Sequence, residues 1–184
     1  MSEVTTIPVA ARSLDALVEA AAHAPTSLLW LLDDAATPAV DALDALLVHG
    51  PGPAASLPVD AQDRPVLPLM GRVTEADARG ILEAIGDRCL PLRHTPVVSL
   101  LVERDLVLEI SPPDPGCFGW YAGAEWTARL FARRHGVLVP ASRVRVDDPP
   151  AGSPRDVLRT ARRAGWRRGE TLRELHRSVV RSVR

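Results

Sequence analysis

The feature that most constrains the fold is residues 30–38, which read Trp-Leu-Leu-Asp-Asp-Ala-Ala-Thr-Pro. Residues 27–32 are apolar after the first position, which is typical of a central strand covered on both faces. The strand ends at Asp33 and Asp34 and delivers two acidic side chains into a turn. Strand and helix signals alternate on either side of it, and this alternation predicts an α/β layer fold.

The other elements are predicted from hydrophobic periodicity and turn residues. Extended segments are predicted at residues 4–9, 65–69, 97–102, 106–110, 137–139 and 143–146. Glu103-Arg104-Asp105 is interpreted as a hairpin connection between two of them. Amphipathic helices are predicted at residues 13–25 with Ser13 as N-cap, 37–50 with Val40 on the buried side, 74–85 and 122–134. The result is a mixed sheet flanked by helices.

The chain divides into two electrostatic parts. Residues 1–150 hold 12 Arg and 20 acids, whereas residues 151–184 hold 10 Arg and 3 acids. A Pro- and Asp-rich joint at residues 147–152 separates them. We therefore predict an α/β domain over residues 1–150 and a basic helical tail over residues 151–184, with one helix starting at Ser153-Pro154 and a last helix from Gly169.

Composition restricts the class of protein. With 184 residues, 46% hydrophobic and 24% charged, the chain can bury one core. All 22 basic residues are Arg, which indicates a GC-rich genome. Cys89 and Cys117 lack a partner pattern of Cys or His, so neither a disulfide framework nor a zinc site is expected. No apolar run approaches the roughly 20 residues that span a bilayer, and no leader pattern is seen, so a cytoplasmic protein is expected.

Four blocks resemble family 2 glycosyltransferases of the galactofuranosyl and rhamnosyl type. Residues 30–38 are similar to the metal-binding strand end of that family, and residues 91–102, Pro-Leu-Arg-His-Thr-Pro-Val-Val-Ser-Leu-Leu-Val, to its acceptor-side segment. Residues 111–130 resemble its catalytic loop and the helix after it, and residues 138–142 the strand that follows. The resemblance covers residues 27–146. It implies a truncated GT-A, Rossmann-like mixed sheet flanked by helices, with a C-terminal helical tail.

The resemblance also implies site residues. Asp33 and Asp34 are relic metal ligands, and Ala35 stands where the family has a third acid. Glu125 is the acid that remains of the catalytic loop. The implied substrate-binding residues are Arg93, His94, Trp120 and Tyr121.

The chain departs from the family pattern at its catalytic positions. Ala122 and Gly123 occupy positions where the family carries aspartates, one of them the general base, and neither residue can accept a proton. After Pro140, where the family commonly supplies a His to the metal, this chain has Arg143 and Arg145, which stay protonated. The region before Trp30 is also shorter than the nucleotide-binding βαβ region of the family.

We therefore expect a catalytically degenerate glycosyltransferase-like module that needs no cofactor. The alternative is an active family 2 glycosyltransferase that uses a nucleotide sugar with Mn²⁺ or Mg²⁺ at a site completed by another subunit. The expected partner is a second copy or another protein, such as a full-length glycosyltransferase. Nucleic acid is not expected, because the body is acidic and the tail lacks interleaved aromatics apart from Trp166. The Arg face of the tail could instead contact an anionic membrane surface.

Each candidate residue also has a structural interpretation. Asp33 and Asp34 could favour the N-terminus of a following helix. Glu125 could form an ion pair with Arg129, four residues later. His94 could bond a backbone carbonyl. Trp120 and Tyr121 could be sugar platforms or core residues.

Overall fold

The computed structural model describes residues 3–9, 14, 16–50, 52–66, 88–114, 120–147, 154–163, 171–172 and 175. Its strands are β1 (Val4–Val9), β2 (Leu28–Asp33), β3 (Ala36–Pro38), β4 (Ala54–Val59), β5 (Leu90–Leu92), β6 (Ser99–Glu103) and β7 (Gly136–Val146). Its helices are α1 (Leu17–His23), α2 (Ala42–His49), α3 (Arg104–Glu109), α4 (Trp120–Arg133) and α5 (Pro154–Arg163). Every described helix is too short or too polar to cross a membrane.

All seven strands belong to one mixed sheet. Its order is β1-β2-β6-β4-β7-β3, and β5 also pairs with β7. β2 lies parallel to β1 and antiparallel to β6, so both of its edges are paired. β7 pairs with β5 through its first residues and with β3 through its last. The prediction of a central strand that ends at Asp33 is therefore confirmed.

Helices cover the two faces of the sheet unequally. α1, α3 and α4 pack on one face in the larger core, which contains the fully buried Trp126 and Leu130. The other face is covered by α2, whose Ala42 and Leu46 pack on Trp30 and on residues of β4, β6 and β7. α5 packs against α4, and its Val157 is fully buried.

A register irregularity in β7 brings a serine into the sheet interior. β4 and β7 pair in parallel up to Ser56 and Val139, and the next pair is Leu57 with Arg143. Three residues of β7, 140–142, therefore face no residue of β4. Pro140 lacks a backbone N–H and cannot donate to the ladder. The break in pairing therefore loses no hydrogen bond that this residue could have donated.

Four side chains form a buried relay of hydrogen bonds, here called the serine chain. Trp30 Nε1 donates to Ser99 Oγ at 2.9 Å, Ser99 Oγ lies 2.6 Å from Ser56 Oγ, and Ser56 Oγ lies 2.7 Å from Ser142 Oγ. Ser142 donates to the Ala42 carbonyl at 2.7 Å. Because the carbonyl only accepts, the three hydroxyls must all donate in the same direction. Each hydroxyl thus accepts one bond and donates one, and the relay joins four neighbouring strands to α2.

The prediction of a strand at residues 106–110 is wrong, because most of this segment lies in α3. Leu106, Val107 and Ile110 are buried, whereas Leu108 and Glu109 are exposed. This spacing is helical, but an apolar run this short has the same composition as a strand.

The predicted helix start at Thr37-Pro38 is also wrong. These residues form β3, in which Ala36 pairs with Val146 and Pro38 with Val144, and α2 begins only at Ala42. Val40 was predicted to be buried and is fully exposed. Pairing with the end of β7 outweighs the local preference of Pro for the first helical turn.

β4 was not predicted. Pro58 lies within it, and proline is rare in central strands because it cannot donate to the ladder. The pairing of β4 with β6 ends at Ala55, so Pro58 lies beyond the part of the strand that is flanked on both sides.

Several predictions fall outside the described residues. These are the cap at Ser13, residues 67–69 of one strand, the helix at residues 74–85, the cap at Ser153 and most of the last helix. Of that last helix, Thr171, Leu172 and Leu175 are described, and they are helical.

Candidate functional site

Asp33 ends β2 with its carboxyl group inside the protein. The residue is 3% exposed, and Oδ1 accepts a hydrogen bond from the Ala35 amide at 2.8 Å. Oδ2 is buried and has no hydrogen-bond partner among the described residues. Burial raises the pKa of Asp33 to about 6; the bond from Ala35 opposes the rise and the charge of Asp34 adds to it.

Asp34 and Ala35 lie in the exposed turn between β2 and β3. The Asp34 amide donates to the Val9 carbonyl at 3.2 Å, which ties the turn to β1. The structural interpretation that these acids cap a helix is wrong. β3 follows the turn, and α2 begins only at Ala42.

The residues at this turn do not fit the divalent ion that the resemblance implies. Such ions take several oxygen ligands, and the turn offers one buried carboxyl group with a raised pKa and one exposed carboxylate. The described residues contain no group of three or more His, Cys, Asp or Glu that could hold a metal. On β7, which pairs with β3, Arg143 forms an ion pair with Asp63 and Arg145 with Asp147.

The acceptor-side segment, residues 91–102, is anchored at Thr95 and at Val98. The Asp33 amide donates to the Val98 carbonyl at 2.9 Å, which joins the segment to β2. Thr127 of α4 accepts from the Thr95 amide at 2.8 Å and donates to the Thr95 carbonyl at 2.6 Å. Of the two predicted binding residues in this segment, Arg93 is exposed and His94 is buried.

α4 contacts this segment most closely at Gly123. A Cβ atom built on Gly123 would lie 2.7 Å from the Val97 amide nitrogen and 3.4 Å from the Pro96 Cα. The nearest atom is backbone, so it cannot turn aside as a flexible side chain could. Gly123, one of the two positions at which the resemblance expects an aspartate, is therefore closed to any side chain unless the segment moves.

Glu125 is engaged by its neighbours. It is 2% exposed, and its two oxygens accept from Arg129 Nε at 2.8 Å and Nη2 at 3.0 Å. Arg129 also donates to the carbonyls of Ser111 and Pro112, at 2.9 and 3.0 Å. The helical ion pair is thus confirmed, and it fastens the loop before α4 to the helix.

The two predicted aromatic residues stand at the start of α4. The side chain of Trp120 lies outside the described part. Tyr121 is half-buried, and its carbonyl accepts from Thr160 Oγ1 of α5 at 3.4 Å. Thr127 was not singled out from the sequence. Its signal was a polar residue between Trp126 and Leu130 on the buried side of an amphipathic helix, because such a residue needs a partner.

The described residues also enclose a groove of about 730 Å³ at the opposite end of β2 from Asp33. It is lined by the start of β2, the end of β6, α3 and the end of α2. Three acids face it, Glu103, Asp105 and Glu109, and Arg134 lies 3.5 Å from Glu103. This groove is therefore separate from the turn where the resemblance places the chemistry.

Comparison with family models and with curated proteins gives no match. Solved structures do match. GalNAc-T7, crystallised with UDP, GalNAc and Mn²⁺, has a TM-score of 0.55 and 15% identity, covering 81% of this chain and 34% of that one. A mycobacterial protein has a TM-score of 0.52 and 18% identity, covering 89% and 55%. The chain has a GT-A glycosyltransferase-like fold.

A further match, glucosyl-3-phosphoglycerate synthase from Mycobacterium tuberculosis, has a TM-score of 0.49 and 19% identity, covering 86% of this chain and 57% of that one. The chain thus spans about a third to just over half of these structures. The predicted mixed GT-A sheet flanked by helices is confirmed. Identities this low establish the GT-A-like fold alone.

Proposed function

We propose that this chain is a catalytically degenerate GT-A-like domain that acts as a binding or partner module. The observation that carries the proposal is the contact of Gly123 with Pro96 and Val97. A general base must be a positioned side chain within hydrogen-bond reach of the proton it removes. At Gly123 the backbone of the acceptor-side segment fills the space that such a side chain would need.

The state of the three acids supports the same proposal. Asp33 directs one oxygen to the Ala35 amide, and burial raises the pKa of its carboxyl group to about 6. Asp34 is exposed in the turn. Glu125 is held by both nitrogens of Arg129 that face it, so both of its oxygens are already engaged in a bidentate pair.

The proposed activity is therefore association. Val40 before α2 and Val48 on α2 are almost fully exposed. We infer that these two apolar side chains contribute to a contact with another protein surface. A second copy or a partner protein, such as a full-length glycosyltransferase, is the proposed occupant, and no cofactor is required.

The test is calorimetric titration of the chain with UDP- and dTDP-sugars in the presence of Mn²⁺ or Mg²⁺. No binding heat is expected. The matched control is Asp34→Ala, an exposed substitution in the turn. Metal-dependent micromolar binding by the wild-type chain that Asp34→Ala abolishes would overturn the proposal and favour an active transferase.

A pull-down from the native cell with mass spectrometry tests the partner. Recovery of a full-length transferase, with no sugar-nucleotide binding by this chain alone, supports a module. A recovered complex that transfers sugar only when Asp33 and Asp34 are intact would instead support the site shared between subunits.

A further inference from the structure

A nucleophile and a base meet at the surface, on elements other than the β2 turn. Cys89 immediately precedes β5, and His49 is the last residue of α2. The Cys89 Sγ lies 3.2 Å from the His49 Nδ1, and both side chains are exposed. The two residues are 40 positions apart in the chain, so the fold brings them together.

The backbone on each side of the pair is fixed. Leu90, next to Cys89, pairs with Leu138 of β7. Gly50, next to His49, ends α2 with a hydrogen bond from its amide to the Leu47 carbonyl at 3.3 Å. His49 lies in the last turn of α2. The imidazole is thus held beside the sulfur by fixed backbone on both sides of the pair.

The thiol needs such a base. Partial burial raises the pKa of the Cys89 thiol, so the sulfur is protonated at neutral pH and is a weak nucleophile. With the ring proton on Nε2, Nδ1 accepts the S–H. A base that removes the proton as the sulfur attacks is one of the established ways to activate a nucleophile.

We propose that Cys89 and His49 form a base-assisted thiol that is modified by small disulfides. The Cys89 sulfur attacks one sulfur of the disulfide, and its proton passes to His49 Nδ1. A new S–S bond forms as the old one breaks, and the leaving thiolate takes the proton from His49. One thiol and one disulfide thus become one mixed disulfide and one thiol, and no other oxidant is consumed.

The experiment treats the reduced, full-length chain with oxidised glutathione and follows the adduct by intact-mass spectrometry. His49→Asn is the decisive variant, because its carboxamide can still hydrogen-bond the sulfur but cannot take the proton. Loss of general base assistance should slow formation of the adduct at neutral pH on the order of 100-fold. Cys89→Ser reports the rate of the remaining Cys117 and is expected to be as slow.

A second variant guards against a simple packing effect. His49→Ala leaves space beside the sulfur, and added free imidazole should restore part of its rate while leaving the wild-type rate unchanged. Thermal unfolding of each variant is compared with wild type. Because both residues are exposed, the variants are expected to keep the fold. The proposal is overturned if His49→Asn reacts within twofold of wild type, or if peptide mapping places the fast adduct on Cys117.

Discussion

Two polar regions on β2, three residues apart, differ in how completely their hydrogen bonds are made. Trp30 begins the serine chain, in which each hydroxyl both accepts and donates. Asp33, at the end of the same strand, keeps a buried oxygen with no partner among the described residues. One region joins four strands and a helix, and the other leaves a carboxyl group in an environment that disfavours its charge.

The hydrogen bonds that stabilise the sheet are therefore distinct from the acidic residue of the candidate site. Buried polar groups are almost always paired, and an unpaired one is expected only where strain or function accounts for it. The serine chain needs no ligand to be satisfied, so it stabilises the sheet whether or not the domain binds sugar. Asp33, in contrast, keeps a buried oxygen that no described residue pairs.

The largest loss of stability is expected at Gly123, where α4 contacts the acceptor-side segment. Gly123→Asp would place a Cβ 2.7 Å from the Val97 nitrogen and bury a charge. We expect the free energy of unfolding to fall by about 3 kcal/mol or more. Urea unfolding measures it, with Ala132→Asp on the exposed side of α4 as the control. A loss below about 1 kcal/mol would mean that the acceptor-side segment yields easily and that the site can open.

The sequence predicted elements with a clear period or a buried run. β1, β2, most of α4 and both halves of β7 lie where the hydrophobic pattern placed them. It could not predict α3, because a five-residue segment with four apolar residues fits a strand or a helix equally well. β3 and β4 depend on pairing with β7, a partner about 80 to 110 residues further along the chain, and both contain prolines that locally oppose a strand.

The sequence predicted where the candidate site residues lie along the chain, but it did not predict their burial or their contacts. The sequence located Asp33 and Asp34 at a strand end, and it showed that residue 123 carries no carboxylate. The buried oxygen of Asp33 and the contact of Gly123 with Val97 arise from tertiary packing, which local pattern does not encode.

Ser56→Ala tests whether the serine chain acts as one unit. The substitution leaves the Ser99 hydroxyl without an acceptor in the sheet interior and should cost about 2 kcal/mol of unfolding free energy. Ser111→Ala, at an exposed position, is the control and should be nearly neutral. Ser99→Ala should cost less in the Ser56→Ala background than alone, because the two residues share one relay. Strict additivity would mean that the hydroxyls act as separate pairs.

Asp33 should make the free energy of unfolding depend on pH with the opposite sign to that expected for a paired carboxylate. The pKa of Asp33 rises from its ordinary value of 3.8 to about 6 in the fold, so between these values the folded chain binds more protons than the unfolded chain. Stability should therefore fall as pH rises through this window, by roughly 1 to 2 kcal/mol once solvent screening is allowed for. Asp33→Asn should remove this slope and be more stable than wild type at pH 7. Parallel curves for the two proteins would contradict the assignment.

The smallest expected effect tests whether the strand end lacks only one ligand. Ala35→Asp restores the third acid of the family pattern at an exposed turn, so stability should change by no more than about 0.5 kcal/mol. Millimolar Mn²⁺ should not raise its melting temperature, because Asp33 keeps Oδ1 on the Ala35 amide and two arginines lie on the strand paired with β3. Ala35→Asn is the uncharged control of the same size. A ligand stabilises the state that binds it. If Mn²⁺ stabilises Ala35→Asp and not Ala35→Asn, one added carboxylate is enough to complete a metal site at Asp33. The strand end would then differ from the serine chain only in that one missing carboxylate.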